Sequence, residues 1–172
     1  MPNLVEKAAS EMLGAFKSAT ARIEGLTGVF QHLAREHGEI MALLLRLEAC
    51  TDPKVRAELF PVIRRELLAH ERGEVAEVYP VLRQCTDLVA FAQAHDRNAG
   101  TLETAIEALA VIDYEDPSWT GRFAELVTKV REHAAAEETR FFPKAQRLLG
   151  KAAAEQLLLR YERAKGRDSR DA

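Results

Sequence analysis

Leu67–Tyr79 reads LLAHERGEVAEVY, and its spacing decides how the chain is built. His70 and Glu74 stand four residues apart, which on a helix puts them one turn apart on one face. Ile63, Leu67, Val78 and Val81 continue that face with apolar side chains. An imidazole and a carboxylate aimed into an apolar core are costly unless something there binds them. Val130–Phe142, VREHAAAEETRFF, repeats the arrangement with His133 and Glu137. Two such pairs predict a metal site inside a helical bundle.

Working outward, the apolar periodicity predicts four long helices joined by short connections, an all-α up-down-up-down four-helix bundle. The first runs from about Val29 to Cys50, with Phe30, Leu33, His37, Leu44 and Leu47 inward. Asp52 and Pro53 cap and open the second, which reaches about Gln84; Pro61 either restarts or kinks it, and Pro80 kinks it near its end. The third extends from Asp87 to about Ala110, with Phe91, His95, Ala99, Leu102 and Ile106 inward. After a loop, Pro117 and Ser118 open the fourth, whose stripe takes in Phe123, Val130, His133, Glu137, Ala145 and Leu148 before Gly150 ends it. The bundle thus spans residues 29–150. Residues 1–28 read as an extra N-terminal helix, either packed beside the bundle or binding a protein partner, and residues 151–172 as a short C-terminal helix with a polar tail.

His37, His70, Glu74, His95, His133 and Glu137 all fall at one level. Counted at ~1.5 Å per residue from the end the helices share, they lie roughly 12–18 Å deep. Left without metal, such a core would need water or shifted protonation to satisfy its polar groups. The donor set contains no thiolate, which removes the usual closed structural zinc site. Imidazole with carboxylate suits iron, manganese, zinc or copper, and two carboxylates from different helices with four imidazoles suit a dinuclear centre. Iron is the first choice.

The rest of the composition narrows the setting. A chain of 172 residues with nine glycines, six prolines and a net charge of −3 suits one helical domain. That charge gives no electrostatic footprint for nucleic acid or an anionic membrane. No apolar run approaches a membrane span, and the opening MPNLVEKAASEM lacks a signal peptide's apolar core, so a cytoplasmic protein is expected. Cys50 and Cys85 close successive helices, at opposite ends of the bundle, and are expected to remain thiols.

EH at 36–37, HERGEVAEVYP at 70–80, His95 in FAQAHDRN and HAAAEETRFFP at 133–143 together resemble the hemerythrin-like, HHE cation-binding domain. The resemblance implies a non-haem centre of two iron ions, oxo- or hydroxo-bridged, in oxygen, nitric oxide or redox-linked roles. It assigns His37, His70, Glu74, His95, His133 and Glu137 to the metals, with the two carboxylates bridging. One position departs: oxygen carriers of the family usually have a second histidine where this chain has Ala99. Either Glu71 or solvent takes its place. Glu138 is the alternative to Glu137 as a bridge, with poorer spacing. His32, about 140° round the helix from His37, is expected at the surface or in packing. Tyr79, Phe141 and Phe142 are expected as walls.

The leading functional expectation is a di-iron protein that binds or senses a small oxidant: O2, NO or peroxide. The alternatives are a di-iron redox enzyme, reducing NO or peroxide or donating iron for cluster repair, and an iron-storage or structural metal module. No general base, nucleophile or substrate pocket stands out in the sequence.

Overall fold

The computed structural model describes residues 25–171; the expected N-terminal helix lies outside them. The described chain is all α, with no strand. Helix α1 (Gly28–Glu48) is followed by α2 (Pro53–Gly73), a π-helical turn at Glu74–Val78 and the short α3 (Tyr79–Leu82). A 3-10 turn at Thr86–Leu88 leads into α4 (Val89–Ala110). Then come α5 (Ser118–Ala136), a second π-helical turn at Glu137–Phe141, and α6 (Phe142–Asp171). In the bundle, α1 packs on α2 and α5, and α4 closes the ring by packing on the same two.

Local chemistry sets the ends of these helices. The Asp52 carboxylate accepts the Lys54 backbone N–H at 2.9 Å, and Pro53 occupies the first turn of α2, where a missing N–H costs nothing. Pro61 neither restarts nor stops α2, which runs on through it. Gly28, at φ 55°, opens α1; a Cβ there would come within 2.4 Å of the Ala154 backbone, so only glycine fits. Thr27 donates both its N–H and its hydroxyl to the Gln146 side chain, tying this start to α6.

Gly150, at φ 78°, interrupts α6. Its first half continues α5 as the fourth rod. The second half turns back and lies over α1 and α2, where Ala154 meets Gly28 and Tyr161 meets Gly73. The predicted end of the fourth helix at Gly150 thus corresponds to a reversal, and the helix beyond it continues to Asp171. This reversal leaves Leu148 about half exposed, against expectation, while Ala145 is buried and Leu149 packs beside it.

Two apolar clusters fill the bundle. One gathers Phe30, Leu33, Tyr79, Leu82, Phe142 and Tyr161; the other holds Leu44, Phe60, Ile63, Ile106, Trp119 and Phe123. Between them lies a layer of buried charge: Glu36, His37, His70, Glu71, Glu74, His95 and Glu137.

Candidate metal centre

The π-helical turns explain how the two His-x-x-x-Glu pairs are presented. Each turn starts at the glutamate of its pair and is followed by an aromatic residue and a proline, Tyr79-Pro80 and Phe142-Pro143. In a regular helix each proline ring would press on the carbonyl four residues back, Ala76 or Thr139. Widening the turn relieves this, and the Tyr79 and Phe142 N–H groups reach back five residues to the Glu74 and Glu137 carbonyls. The kink expected at Pro80 is therefore a widened turn. It also swings each aromatic ring onto an imidazole. Tyr79 stacks on His95 at 3.6 Å between centroids, and Phe142 on His37 at 5.9 Å.

The donors form two groups, each with its ligand atoms within 4.8 Å of one another: His37, His70 and Glu137 in one, Glu71, Glu74, His95 and His133 in the other. Both predicted bridges reach across. Glu74 Oε2 lies 3.8 Å from His70 Nε2 and 3.1 Å from His95 Nε2. Glu137 Oε2 is 3.3 Å from His37 Nε2 and 3.5 Å from His133 Nε2, while its Oε1 is 3.3 Å from His95 Nε2. The Glu71 carboxylate points inward, 3.3 Å from His133 Nε2 and 3.8 Å from His95 Nε2. Ala99 is buried beside it, and both line a cavity of 440 Å³ between α2 and α4. Glu138 is in neither group; it holds His37 Nδ1 at 3.0 Å. His32 is also outside both, bound to Glu36 at 3.1 Å.

The electrostatics are those of a site short of positive charge. Burial, with the Glu137 and Glu71 charges beside it, holds the Glu74 carboxyl well above its ordinary range. Burial opposes protonation of His133, but the Glu137 and Glu71 carboxylates outweigh it and raise the imidazole to about 10. His37 is raised likewise to about 9, by Glu137 and Glu138. Buried Glu71 Oε2, Glu74 Oε1, Glu137 Oε2 and His133 Nε2 accept or donate no hydrogen bond among the described residues. Three buried carboxylates, four imidazole nitrogens turned on each other and these idle lone pairs fit a pair of divalent cations.

Behind the donors stand supports that the sequence did not single out. Glu36 accepts from His70 Nδ1 at 2.9 Å, from the Tyr161 hydroxyl at 2.5 Å and from Lys165 Nζ at 2.7 Å. The Tyr79 hydroxyl, expected only in a wall, donates to Glu137 Oε1. The one available hint was Glu36, four residues after His32 and next to His37; nothing along the chain ties Tyr161 or Lys165 to it. Phe91, expected inward, lies 36% exposed over Phe141 at the rim of the site.

The hemerythrin HHE cation-binding domain matches residues 28–145. The chain belongs to that family. A DNA nickase of Nostoc sp. (strain PCC 7120 / SAG 25.82 / UTEX 2576) is 24% identical over 132 residues, covering 77% of this chain and 37% of that protein. The chain therefore spans little more than a third of that relative's length. No solved structure matches it significantly. The family places metal binding in this HHE domain. No helix among the described residues is long and apolar enough to cross a membrane.

Proposed function

We propose that the chain holds two iron ions and uses them to bind or sense a small oxidant, O2, NO or peroxide. The observation that carries this reading is the pair of donor groups, each within 4.8 Å, with Glu74 and Glu137 lying across both. Iron bound there supplies reversible one-electron chemistry towards such ligands. The chain supplies the rest. His37 and His70 hold one side, and His95, His133 and Glu71 hold the other, with Glu71 standing in for the histidine that Ala99 replaces. Glu74 and Glu137 span the two, and the Tyr79 hydroxyl fixes Glu137. Phe141 and Phe142, both buried, wall the site by stacking on Tyr79 and His37.

Access favours a small ligand. His95, His133 and Glu137 open to the surface through a cavity of 190 Å³ rimmed by Tyr79, Phe91 and Phe141. That space has room for a diatomic molecule or peroxide beside the donors. Both cysteines are free, in keeping with a reducing cytoplasm. The test is anaerobic reconstitution with Fe(II), metal analysis, and titration with O2, NO and peroxide followed by absorption. About two irons per chain and a ligand-dependent spectrum are expected. Stoichiometric zinc with no uptake of iron would sink the assignment.

A further inference from the structure

The family match stops at residue 145, yet the polar network of the centre does not. Glu36 is a buried carboxylate, 6% exposed, between the second half of α6 and His70. Its Oε2 accepts from His70 Nδ1 and the Tyr161 hydroxyl, and its Oε1 from Lys165 Nζ and His32 Nε2. Lys165 also lies 3.6 Å from Glu66 Oε2. The docking is built in from both sides. Gly73 leaves room for the Tyr161 ring, which a Cβ would meet at 2.7 Å, and Gly28 leaves room for the Ala154 backbone.

We infer that the helix after Gly150 is a working part of the metal centre, in which Tyr161 and Lys165 position His70 through Glu36. The inference rests on the proposed two-iron reading and extends it to a segment beyond the matched domain. An imidazole that donates Nδ1–H to a carboxylate is fixed in one tautomer and one orientation, with Nε2 left for a metal. His70 Nε2 lies 3.1 Å from His37 Nε2, at the heart of the first donor group. Glu36 could not serve alone: a buried carboxylate with no counter-charge is expensive and would draw in water or turn away. The Lys165 ammonium supplies that charge, and the Tyr161 hydroxyl fixes Oε2 on the side of His70. His37 differs, because its Nδ1 partner, Glu138, comes from within the bundle. Tyr161 and Lys165 are thus positioning residues for one side of the centre only.

The experiment loads full-length wild type, Tyr161→Phe, Lys165→Met, Lys165→Arg, Glu36→Gln and Leu157→Ala with Fe(II) under anaerobic conditions. Iron content, release to a chelator, absorption spectrum and midpoint potential are then measured. Tyr161→Phe and Lys165→Met should release about one of the two irons roughly 10-fold faster, with Lys165→Arg close to wild type. Lys165→Met, taking the ammonium away from Glu36, should lower the potential, and Glu36→Gln should raise it. Leu157→Ala, a buried apolar truncation on the same helix that removes none of the groups bonded to Glu36, should lower the melting temperature and leave the potential in place. Variants matching wild type in release and potential would overturn the inference alone. So would a Leu157→Ala potential shifted as far as that of Lys165→Met. A wild type that takes up no metal would overturn the two-iron reading, and the inference with it.

Discussion

His70–Pro80 and His133–Pro143 are near copies: a histidine, a glutamate four residues on, a widened turn, an aromatic ring on an imidazole, then proline. They differ in where each places its extra acid. In HERGEVAEVYP it follows the histidine, so Glu71 turns inward to His133. In HAAAEETRFFP it follows the first glutamate, so Glu138 passes outside the donors and takes His37 Nδ1. The aromatic residues differ too, since Tyr79 carries a hydroxyl to Glu137 and Phe142 carries none. A shift of a few positions along one helical turn thus separates a would-be ligand from the support of a ligand.

The strongest way to break the comparison is to remove one histidine from each copy. If the segments are equivalent halves of one centre, His70→Ala and His133→Ala should each lose most of the iron, while His32→Ala keeps it. Metal analysis after reconstitution decides; full loading of either of the first two would show that the halves are not joined. Stripping the metal from both halves comes next. Each of two metal ions at about 100 times its dissociation constant adds about 2.7 kcal/mol, together a melting shift of roughly 10–20 °C for a chain of this size. Metal-free protein melting with the loaded form would mark a polar layer that needs no cation.

Protons separate the two donor groups as well, since one imidazole in each is raised, His37 in the first and His133 in the second. Without metal, His133 and His37 titrate near 10 and 9 in the fold against an ordinary 6.5. Their contribution to stability is fully present below about 6.5 and is lost as pH rises through 9 and 10. The metal-free chain should therefore melt progressively lower from neutral to alkaline pH. The loaded chain should vary less there and lose metal in acid, as its imidazoles take up protons. Equal alkaline slopes in both forms would contradict this.

The finest test exchanges the acids' roles. Glu71→Ala should change the iron spectrum and quicken or slow autoxidation, whereas Glu138→Ala should leave the spectrum near wild type and, through the lost acceptor on His37, release iron roughly 10-fold faster. Ala99→His has room in the cavity that Glu71 lines. Combined with Glu71→Ala, it should restore iron content and lengthen reversible O2 binding. Indistinguishable spectra for Glu71→Ala and wild type would remove Glu71 from the metal.

Much of this was legible because the polar residues interrupt an apolar stripe at helical spacing. Four imidazoles and two carboxylates at one depth leave few alternatives, and in the structure the six lie side by side in the two donor groups. Glu71 was legible only as one of two choices for the position that Ala99 vacates. The Glu36 network was not, because Tyr161 and Lys165 reach it only after the chain reverses at Gly150, and a left-handed glycine inside a helical pattern reads simply as an end. The same reversal explains Leu148, whose stripe was extended past the point where packing changes partner. Phe91 kept its periodic position but fell at the rim, where periodicity does not report depth.

The span of sequence that the centre gathers has a kinetic consequence. Glu36 and Lys165 lie 129 residues apart, Glu36 and His70 34 apart, and Tyr79 and Glu137 58 apart. Closing such loops comes before any of these contacts can stabilise the chain. A chain with helices formed but not docked offers a cation only the local pairs His70–Glu74 and His133–Glu137, too few donors for firm capture. Metal is therefore expected to meet a finished bundle and to act on its escape rather than its formation. Refolding rates should be nearly the same with and without Fe(II), and unfolding should slow by the full stabilisation that the metal provides. A refolding phase that accelerates with iron would place the capture earlier.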